Sequence, residues 1–356
     1  MAIDLTPILS EVNSLCEADK LAYNELIFEE YIRDETFSNH HTVMTEVRNG
    51  RLIPLMSALP DYGYMKVRQG NCQMNDCSID TTSSVKKWNP IDYNCRLEIC
   101  KDDLTCDFKK FWDMNCKDYD NMNDAYIDFI VAKVRENVNA SQWRIAYFDD
   151  SENDDPLYAG IDGLFKQYLD IAPVGSDQRF AIPENAEATI AEQMALAPDR
   201  AYQLFKDMYT WASMYNTQLL SRPDVHFDVT PELAHNYLAW LMENKEVNCC
   251  FSATDGVTSS RYSIDSLNYL GIPIRIRHEW SAIIRWQQAQ DAAANYDNPH
   301  RALLTYKTNK PIGTCDDRSF SNFDMWYERK DKQIIIDVET SFDAKVLVDS
   351  DFAIAI

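Results

Sequence analysis

The clearest pattern along the chain is a regular alternation of apolar and polar positions close to its C-terminus. In QIIIDVETSFDAKVLVD, every even-numbered position from Ile334 to Val348 is apolar or threonine, whereas the odd-numbered positions between them are mostly polar. Successive side chains of a β-strand point to opposite faces. The period of two therefore predicts a long β-ribbon with one buried face and one exposed face.

An earlier region, from Thr42 to Pro90, consists of short β-prone pieces separated by glycine and proline, with TVMTEV and YGYMKVR among them. Glycine and proline between such pieces mark turns, so the region is predicted to be an extended two-stranded hairpin. Directly after it, Cys95, Leu97 and Ile99 alternate with polar residues, which predicts a strand that returns toward the core.

Apolar positions three and four residues apart predict several helices. Residues 1–35 are interpreted as a helical arm, and Asp124 is suited to cap a helix near 121–139. Thr230 and Pro231 mark another helix start, as cap and first residue. Further helices are predicted at GIDGLFKQYL and over residues 185–215 with a break at Pro198, and strands at WRIAYFDD, CCFSAT and GIPIRIRHEW.

The composition is that of a folded chain with room for one large or two ordinary domains. Of its 356 residues, 46% are hydrophobic and 12% aromatic, which excludes a disordered protein. No apolar run approaches the roughly 20 residues of a membrane span, and the N-terminus lacks the regions of a secretory signal. We therefore expect a soluble protein made in the cytoplasm, without membrane contact.

The formal net charge is −23, from 34 basic and 57 acidic residues. Sequence-independent DNA binding relies on lysine and arginine to neutralise phosphates, so this surface is expected to repel nucleic acid. On charge alone, an ordinary soluble acidic protein is an equally good interpretation.

Ten cysteines fall in two zones, seven from Cys16 to Cys116 and three from Cys249 to Cys315. The sequence has no CxxC pair, and its histidines do not stand at zinc-finger offsets. Without a secretory signal, free buried thiols are the favoured interpretation. The alternative is a metal site in which distant strands bring the thiols of Cys72–Cys116 together.

The sequence contains no P-loop, GxSxG, HExxH or glycine-rich dinucleotide turn. No enzyme activity, cofactor or metal is therefore predicted, and the six histidines are interpreted as surface or capping residues. The acidic loop with Asp149, Asp150, Asp154 and Asp155 lacks EF-hand spacing, so a solvated loop is favoured over a calcium site.

Aromatic residues are frequent in segments that we interpret as exposed, which is typical of surfaces that contact other proteins. The alternative is that these residues belong to the core. The aromatic candidates are Tyr62, Tyr64, Trp88, Phe320, Phe323, Trp326 and Tyr327.

The stretch TYKTNKPIGTCDDRSFSNFDMWYERKDKQIIIDVETSFDAKVLVDSDFAIAI resembles the C-terminal part of major capsid proteins of tailed bacteriophages, which have the Hong Kong 97-type fold. The likeness is closest to capsid proteins of phages from gut bacteria. Weaker likeness occurs at MAIDLTPILSEV, in the cysteine-rich region from Cys72 to Trp112, and at YAGIDGLFKQ. These pieces span most of the chain in the order expected for the family.

The resemblance implies an α+β, Hong Kong 97-like fold in five parts. They are an N-terminal arm (1–45), an extended hairpin called the E-loop (46–95), a peripheral domain with a spine helix (96–184), a central A-domain (185–315) and a C-terminal β-ribbon that returns to the peripheral domain (316–356).

The resemblance further implies a major capsid protein that self-assembles, as pentamers and hexamers, into the icosahedral head shell of a tailed double-stranded DNA phage. Its expected location is the virion, after synthesis and assembly in the host cytoplasm. The expected partners are portal and auxiliary or decoration proteins, and the DNA is enclosed without sequence-specific binding. An acidic helical extension does not precede the arm, which implies a separate scaffold or none.

Lys66 and Arg68 of the hairpin join the aromatic residues as candidates for subunit contact. A covalent Lys–Asn cross-link is not predicted, because the sequence identifies no partner asparagine. Three alternatives stay open: a minor or decoration protein of the virion, a metal-dependent enzyme that uses cysteine and histidine, and an adaptor that binds a host partner as a stable monomer.

Overall fold

The computed structural model describes residues 40–58, 81–100, 134, 137–244, 267–291, 293–315, 324–328, 330 and 333–356. Several expectations lie outside these residues: the helical arm, most of the helix at 121–139, the tip of the hairpin and the strand at CCFSAT.

The described strands form two larger sheets and one two-stranded hairpin. In chain order they are β1 (Val43–Met44), β2 (Leu52–Ala58), β3 (Thr81–Lys87), β4 (Ile91–Cys100), β5 (Arg179–Phe180), β6 (Val225–Val229), β7 (Asn268–Tyr269), β8 (Ile272–Ile276), β9 (Ala302–Tyr306), β10 (Ile312–Gly313), β11 (Asp324–Glu328), β12 (Gln333–Ala344) and β13 (Ala353–Ala355).

The described helices cover both sheets. They are α1 (137–148, with residue 134 also helical), α2 (Leu164–Ile171), α3 (Ile190–Gln193), α4 (Arg200–Tyr215), α5 (Thr217–Leu220), α6 (Pro231–Asn244) and α7 (His278–Asp291), with 3₁₀ turns at Pro183–Ala186 and Lys307–Asn309. The predicted helix at GIDGLFKQYL, the break at Pro198 and the helix start at Pro231 are confirmed.

The first sheet is built on β12, whose alternation is the one that the sequence predicts. It pairs antiparallel with β4 over residues 333–342 and also with β11 and β10, and β10 pairs in parallel with β1. Ile334, Ile336 and Val338 are buried and pack with α1 and α2 in the first hydrophobic core. The predicted strand is confirmed as far as Ala344, where it ends.

The second sheet has the order β5-β13-β9-β6-β8-β7. β6 runs parallel to β8 and antiparallel to β9, and α4 and α6 pack against the sheet in a second hydrophobic core. The C-terminal strand β13 lies inside this sheet, between β5 and β9. The chain therefore leaves the first sheet after β12 and ends in the second, which the alternating pattern did not predict.

The predicted strand at WRIAYFDD is wrong, because residues 143–148 form the last turns of α1 and the two aspartates follow it. Trp143, Ile145 and Tyr147 are spaced by two, which favoured a strand. Trp143 and Tyr147 are also four residues apart, however, and lie on one helix face, where their rings stack with centroids 5.7 Å apart. A spacing of four fits both periods, and packing in the first core selects the helix.

The predicted strand at GIPIRIRHEW is confirmed only over Ile272–Ile276, since α7 starts at His278. The helix buries Trp280 completely in the first core, and that burial accounts for the change of structure within this segment. β6, which the sequence did not predict, lies beside β8.

The hairpin between Thr42 and Pro90 is confirmed as an antiparallel pair. β2 and β3 pair from Leu52 opposite Lys87 to Ala58 opposite Thr81. Within the part of the chain that the structure describes, no helix has the length and apolar content required to cross a bilayer.

Candidate functional site

Trp88 is buried, with only 2% of its surface exposed. It packs with Val47 and Ile53 in a small cluster. Its ring also covers Gly313 of β10, where a Cβ atom would lie 2.8 Å from Trp88 Cζ3. The expectation that Trp88 is exposed is therefore wrong, because the base of the hairpin folds onto β10 and covers the indole.

The other candidates for subunit contact are placed only in part. Trp326 is half-buried on β11, with the Arg96 guanidinium 5.9 Å from the centre of its ring. The backbone of Tyr327 pairs with Ile334. Trp326 and Tyr327 therefore both belong to the first sheet. Tyr62, Tyr64, Lys66, Arg68, Phe320 and Phe323 lie outside the described residues.

The base of the hairpin is fastened to the segment that follows β12. Lys86 Nζ donates a hydrogen bond of 2.6 Å to the Val346 carbonyl and pairs with Asp349. On the other side of Trp88, the Asn89 amide donates to the buried Asp343 carboxylate at 2.7 Å. The hairpin is therefore held at its root by contacts to the core of its own chain.

Two large apolar side chains at the end of α4 face solvent. Met214 is 71% exposed and Tyr215 is 70% exposed, whereas Met208 and Trp211 of the same helix are buried. The sequence carried a signal for Met214, which falls outside the stripe of positions that α4 buries, but not for Tyr215, which continues that stripe and is exposed at the end of the helix. Exposed apolar groups of this size are candidates for contact with another chain.

A cluster of charges is buried where the two sheets meet, and we call it the junction cluster. Asp228 of β6 pairs with Arg277, which follows β8, and with Lys310, which precedes β10. His226 Nε2 lies 3.3 Å from the same carboxylate. All four residues are at most 2% exposed. The cluster thus ties the second sheet to the first through one carboxylate.

The charges of the junction cluster fix its ionisation. Burial by itself raises the pKa of Asp228, but Arg277, Lys310 and His226 outweigh that effect and hold the pKa well below its ordinary value. Burial lowers the pKa of Lys310 to about 8, although Asp228 opposes the shift. The cluster therefore holds an ionised carboxylate between cations. Its geometry is suited to joining elements, and it presents no reactive group to solvent.

His40 and His41 reach the junction cluster from the N-terminal side. His41 is buried, with Nδ1 3.1 Å from the Lys310 carbonyl oxygen and Nε2 3.1 Å from the Tyr147 hydroxyl. The His40 Nδ1 lies 3.3 Å from Arg275 Nη1. His41, His226 and His300 are all fully or almost fully buried, so the interpretation of the histidines as surface or capping residues is wrong for these three.

The acidic loop after α1 is tied to cations of its own chain. Arg144 pairs with the buried Asp149 at 2.6 Å, and Lys166 pairs with Asp150. The loop borders a groove of about 770 Å³ that reaches Arg301. Among the described residues, no group of three or more histidine, cysteine, aspartate and glutamate side chains is arranged to hold a metal ion.

No family model and no curated protein matches the sequence. Solved structures do match it. A chain from Gordonia phage Cozz is 14% identical, with a TM-score of 0.50 over 89% of this chain and 84% of that one. A chain from the satellite phage P4 procapsid including size determination (Sid) protein is 10% identical, with a TM-score of 0.52 over 92% of this chain and 96% of that one.

The fold is consistent with a phage major capsid protein. At identities of 14% and 10% the likeness is one of fold alone. The resemblance that the sequence predicted is confirmed at that level, as is the mixed α+β class. The Hong Kong 97-type details, and with them the contacts between subunits, stay predictions.

Proposed function

We propose that this chain is a major capsid protein whose copies assemble into the icosahedral head shell of a tailed double-stranded DNA phage. The observation that carries the proposal is the match to a chain of the P4 procapsid, which covers 92% of this chain and 96% of that one. Because nearly the whole of both chains takes part, the likeness concerns the arrangement of the fold and not one shared motif.

In this proposal the hairpin is the E-loop (46–95) and overlies a neighbouring subunit. Two observations support the assignment. In the described part of the chain, β2 and β3 pair only with each other, and the root of the hairpin is fixed by Lys86 and Asn89. A hairpin that is rigid at its root and two strands wide offers backbone edges and side chains to another chain. Tyr62, Tyr64, Lys66 and Arg68 stand between β2 and β3 in the sequence.

Four strands of the second sheet, β6 to β9, fall with α4 and α6 within the proposed A-domain (185–315), at the centre of pentamers and hexamers, whereas β5 and β13 of the same sheet lie outside those residues. The exposed Met214 and Tyr215 of α4 are suited to the repeated heterologous contact that closes such rings. In the first sheet, β11 and β12 fall within the proposed C-terminal ribbon (316–356), and β4 runs from the hairpin into the proposed peripheral domain (96–184), which holds α1 in the place of the spine helix. The short strands β1 and β10 of this sheet come from the proposed arm and A-domain.

The chain is proposed to act as a structural protein of the virion and not as an enzyme, with portal and auxiliary or decoration proteins as further partners. Its net charge of −23 suits a shell that encloses DNA without holding it, because an acidic inner wall repels phosphates. We propose assembly in the host cytoplasm.

Two other functions make different predictions. A minor or decoration protein would bind to a shell formed by another chain without forming one itself. A metal-dependent enzyme would bind about one zinc ion per chain with thiols from Cys72–Cys116. Cys95, the member of that region whose side chain is described, carries a free thiol on an exposed position of β4.

The test is to size the purified full-length protein by light scattering and to image the same fractions by negative-stain electron microscopy. Rings of five or six subunits, or closed shells, are the expected result. A monomer of 41.2 kDa that persists at high concentration across salt and pH would overturn the proposal, and metal analysis would then test the enzyme.

A pair of matched variants tests the role of the hairpin. K66E/R68E reverses two charges that the sequence places at the hairpin, and it is expected to abolish rings and shells while the circular dichroism spectrum stays that of the wild type. K66R/R68K keeps both charges and is expected to assemble. If both variants assemble as well as the wild type, the hairpin is not the contact that we propose.

A further inference from the structure

His40 and His41 lie where three parts of the fold meet. Aromatic rings of α1 flank them, with Trp143 at 6.4 Å from His40 and at 5.6 Å from His41, measured between ring centroids. Arg275 of β8 contacts His40, and the Lys310 carbonyl before β10 contacts His41. This short segment therefore contacts both sheets, and it connects the preceding 39 residues to them.

The hydrogen bonds of His41 define which of its nitrogens carries the proton. The Lys310 carbonyl oxygen can only accept, so Nδ1 donates across the 3.1 Å contact. Nε2 then accepts from the Tyr147 hydroxyl, also at 3.1 Å. Both nitrogens of the neutral ring are satisfied in this way, in a position that is 1% exposed.

His40 is held in its neutral form by a different contact. Its Nδ1 lies 3.3 Å from Arg275 Nη1, and a guanidinium can only donate. Nδ1 must therefore accept, which a protonated imidazole cannot do. Protonation would also place a positive charge next to Arg275.

The charged groups around the two rings add to the same preference. Arg277 and Lys310 of the junction cluster act on both histidines, and Arg275 acts also on His40. Asp228 opposes these cations, but it is already paired with two of them. Burial is the largest effect and cationic neighbours come next, so the pKa of His40 is lowered to about 2 and that of His41 lies well below its ordinary value.

We propose that His40 and His41 form a proton-sensitive anchor, which binds the junction cluster while both rings are neutral and releases the N-terminal segment when they are protonated. The group that binds at the junction cluster is thus a segment of the same chain. The protonation of its two histidines controls whether it stays bound. The proposal does not depend on assembly into a shell, because every contact that carries it lies within one chain.

The size of the effect follows from the difference in pKa between bound and released states. Once released into water, each histidine has a pKa of about 6.5. Below that pH the released state takes up a proton that the bound state excludes, so each histidine shifts the equilibrium toward release by about tenfold per pH unit. At the pKa itself the released ring is only half protonated, so two histidines together give about thirtyfold between pH 6.5 and pH 5.5.

Hydrogen exchange followed by mass spectrometry tests the anchor on the full-length chain. Exchange is measured from pH 7.5 to pH 5.5 and corrected for the intrinsic rate, with light scattering used to hold the assembly state constant. We expect residues 40–47 to lose protection below pH 6.5 while residues 225–229 of β6 keep theirs. H40N/H41N, in which amide groups replace both Nδ1 contacts without a titrating ring, is expected to keep its protection at every pH.

H226N is the matched control, because it removes a buried histidine of the junction cluster that is not part of the anchor. It is expected to leave the acid release of residues 40–47 in place. The proposal would be overturned if the protection of residues 40–47 did not change with pH, or if it were lost at the same pH as that of β6. Acid release that persists in H40N/H41N would also overturn it. If that variant does not hold the segment at neutral pH, NMR titration of the wild type decides, since a ring that takes up a proton while residues 40–47 are still protected contradicts the proposal.

Discussion

Two ionic contacts in this protein join strands that are far apart in sequence, and water reaches them to very different extents. In the junction cluster, Asp228 meets Arg277 and Lys310 with all three side chains at most 2% exposed. On the first sheet, Arg96 of β4 donates two hydrogen bonds of 2.7 Å to Asp337 of β12, and 61% of the arginine side chain is exposed.

The surface pair has the bidentate geometry that favours strong recognition, yet geometry does not decide which contact the fold depends on. Water stabilises the two ions of the surface pair almost as well when they are separated as each ion stabilises the other when they are paired. In the junction cluster, removing one ion leaves its partners buried without compensation. The comparison indicates that the free energy of unfolding follows the burial of a carboxylate more than the quality of its hydrogen bonds.

The strongest test of this comparison is D228N, which keeps the shape of the side chain and removes its charge. Arg277 and Lys310 would then face each other in a buried site without an anion. We expect the free energy of unfolding to fall by about 3 to 5 kcal/mol, measured by urea denaturation. D337N makes the same chemical change on the surface pair and serves as the matched control. A loss of under about 1 kcal/mol for D228N would break the comparison.

The pattern of apolar and polar residues along the chain was sufficient to predict the strands that carry the surface pair, but it was insufficient to predict the junction cluster. Apolar and polar residues alternate along both β12 and β4, and this period of two predicts both strands. The hairpin and the start of α6 at Pro231 could also be predicted, because turn residues and helix caps act locally. The pairing of Arg96 with Asp337 then follows once the register is known.

The junction cluster could not be predicted in this way. In β6, Val225, Phe227 and Val229 alternate with His226 and Asp228, and a polar face ordinarily means an exposed face. Here both faces are buried, because Asp228 meets Arg277 and Lys310, which lie 49 and 82 residues away in sequence. Trp88 was assigned to the surface for a similar reason, since only the tertiary fold places Gly313 beneath its ring.

G313A tests whether the free energy of unfolding depends on a buried apolar contact between distant segments as it does on the buried ionic contact. The added Cβ would lie 2.8 Å from Trp88 Cζ3, so the indole must move. We expect the free energy of unfolding to fall by about 1 to 3 kcal/mol, measured by urea denaturation. In a W88A background the same change is expected to cost much less, because only the 3.1 Å approach of the added Cβ to Val47 Cγ2 is left. Equal costs in both backgrounds would show that the ring does not cover Gly313.

The pH dependence of stability sharpens the comparison further, because His226 lies within the junction cluster. Burial lowers its pKa, although Asp228 opposes the shift. Below about pH 6.5 the unfolded chain therefore takes up a proton that the folded chain excludes. Stability is lost as the pH falls from 6.5 toward the lower folded-state pKa, by up to about 1.4 kcal/mol per pH unit for this one group.

H226Q is expected to flatten the dependence of the urea midpoint on pH between 6.5 and 5.5, and H235Q at an exposed position of α6 controls for the substitution itself. The measurement compares each variant with the wild type, because burial raises the pKa of Asp149 to about 6 and that group titrates in the same window with the opposite sign. An H226Q curve parallel to that of the wild type would contradict the assignment.

The smallest expected effect belongs to the surface pair. R96A removes the guanidinium from Asp337, and both groups are then solvated, so the urea midpoint should stay within the scatter of replicate measurements. Added salt should make no difference between variant and wild type, because the contact is already screened. If R96A is instead as damaging as D228N, the difference cannot come from the charge pair alone. The Arg96 guanidinium also lies over the Trp326 ring, 5.9 Å from its centre, so R96M, which keeps an apolar stem without the charge, separates lost packing from lost charge.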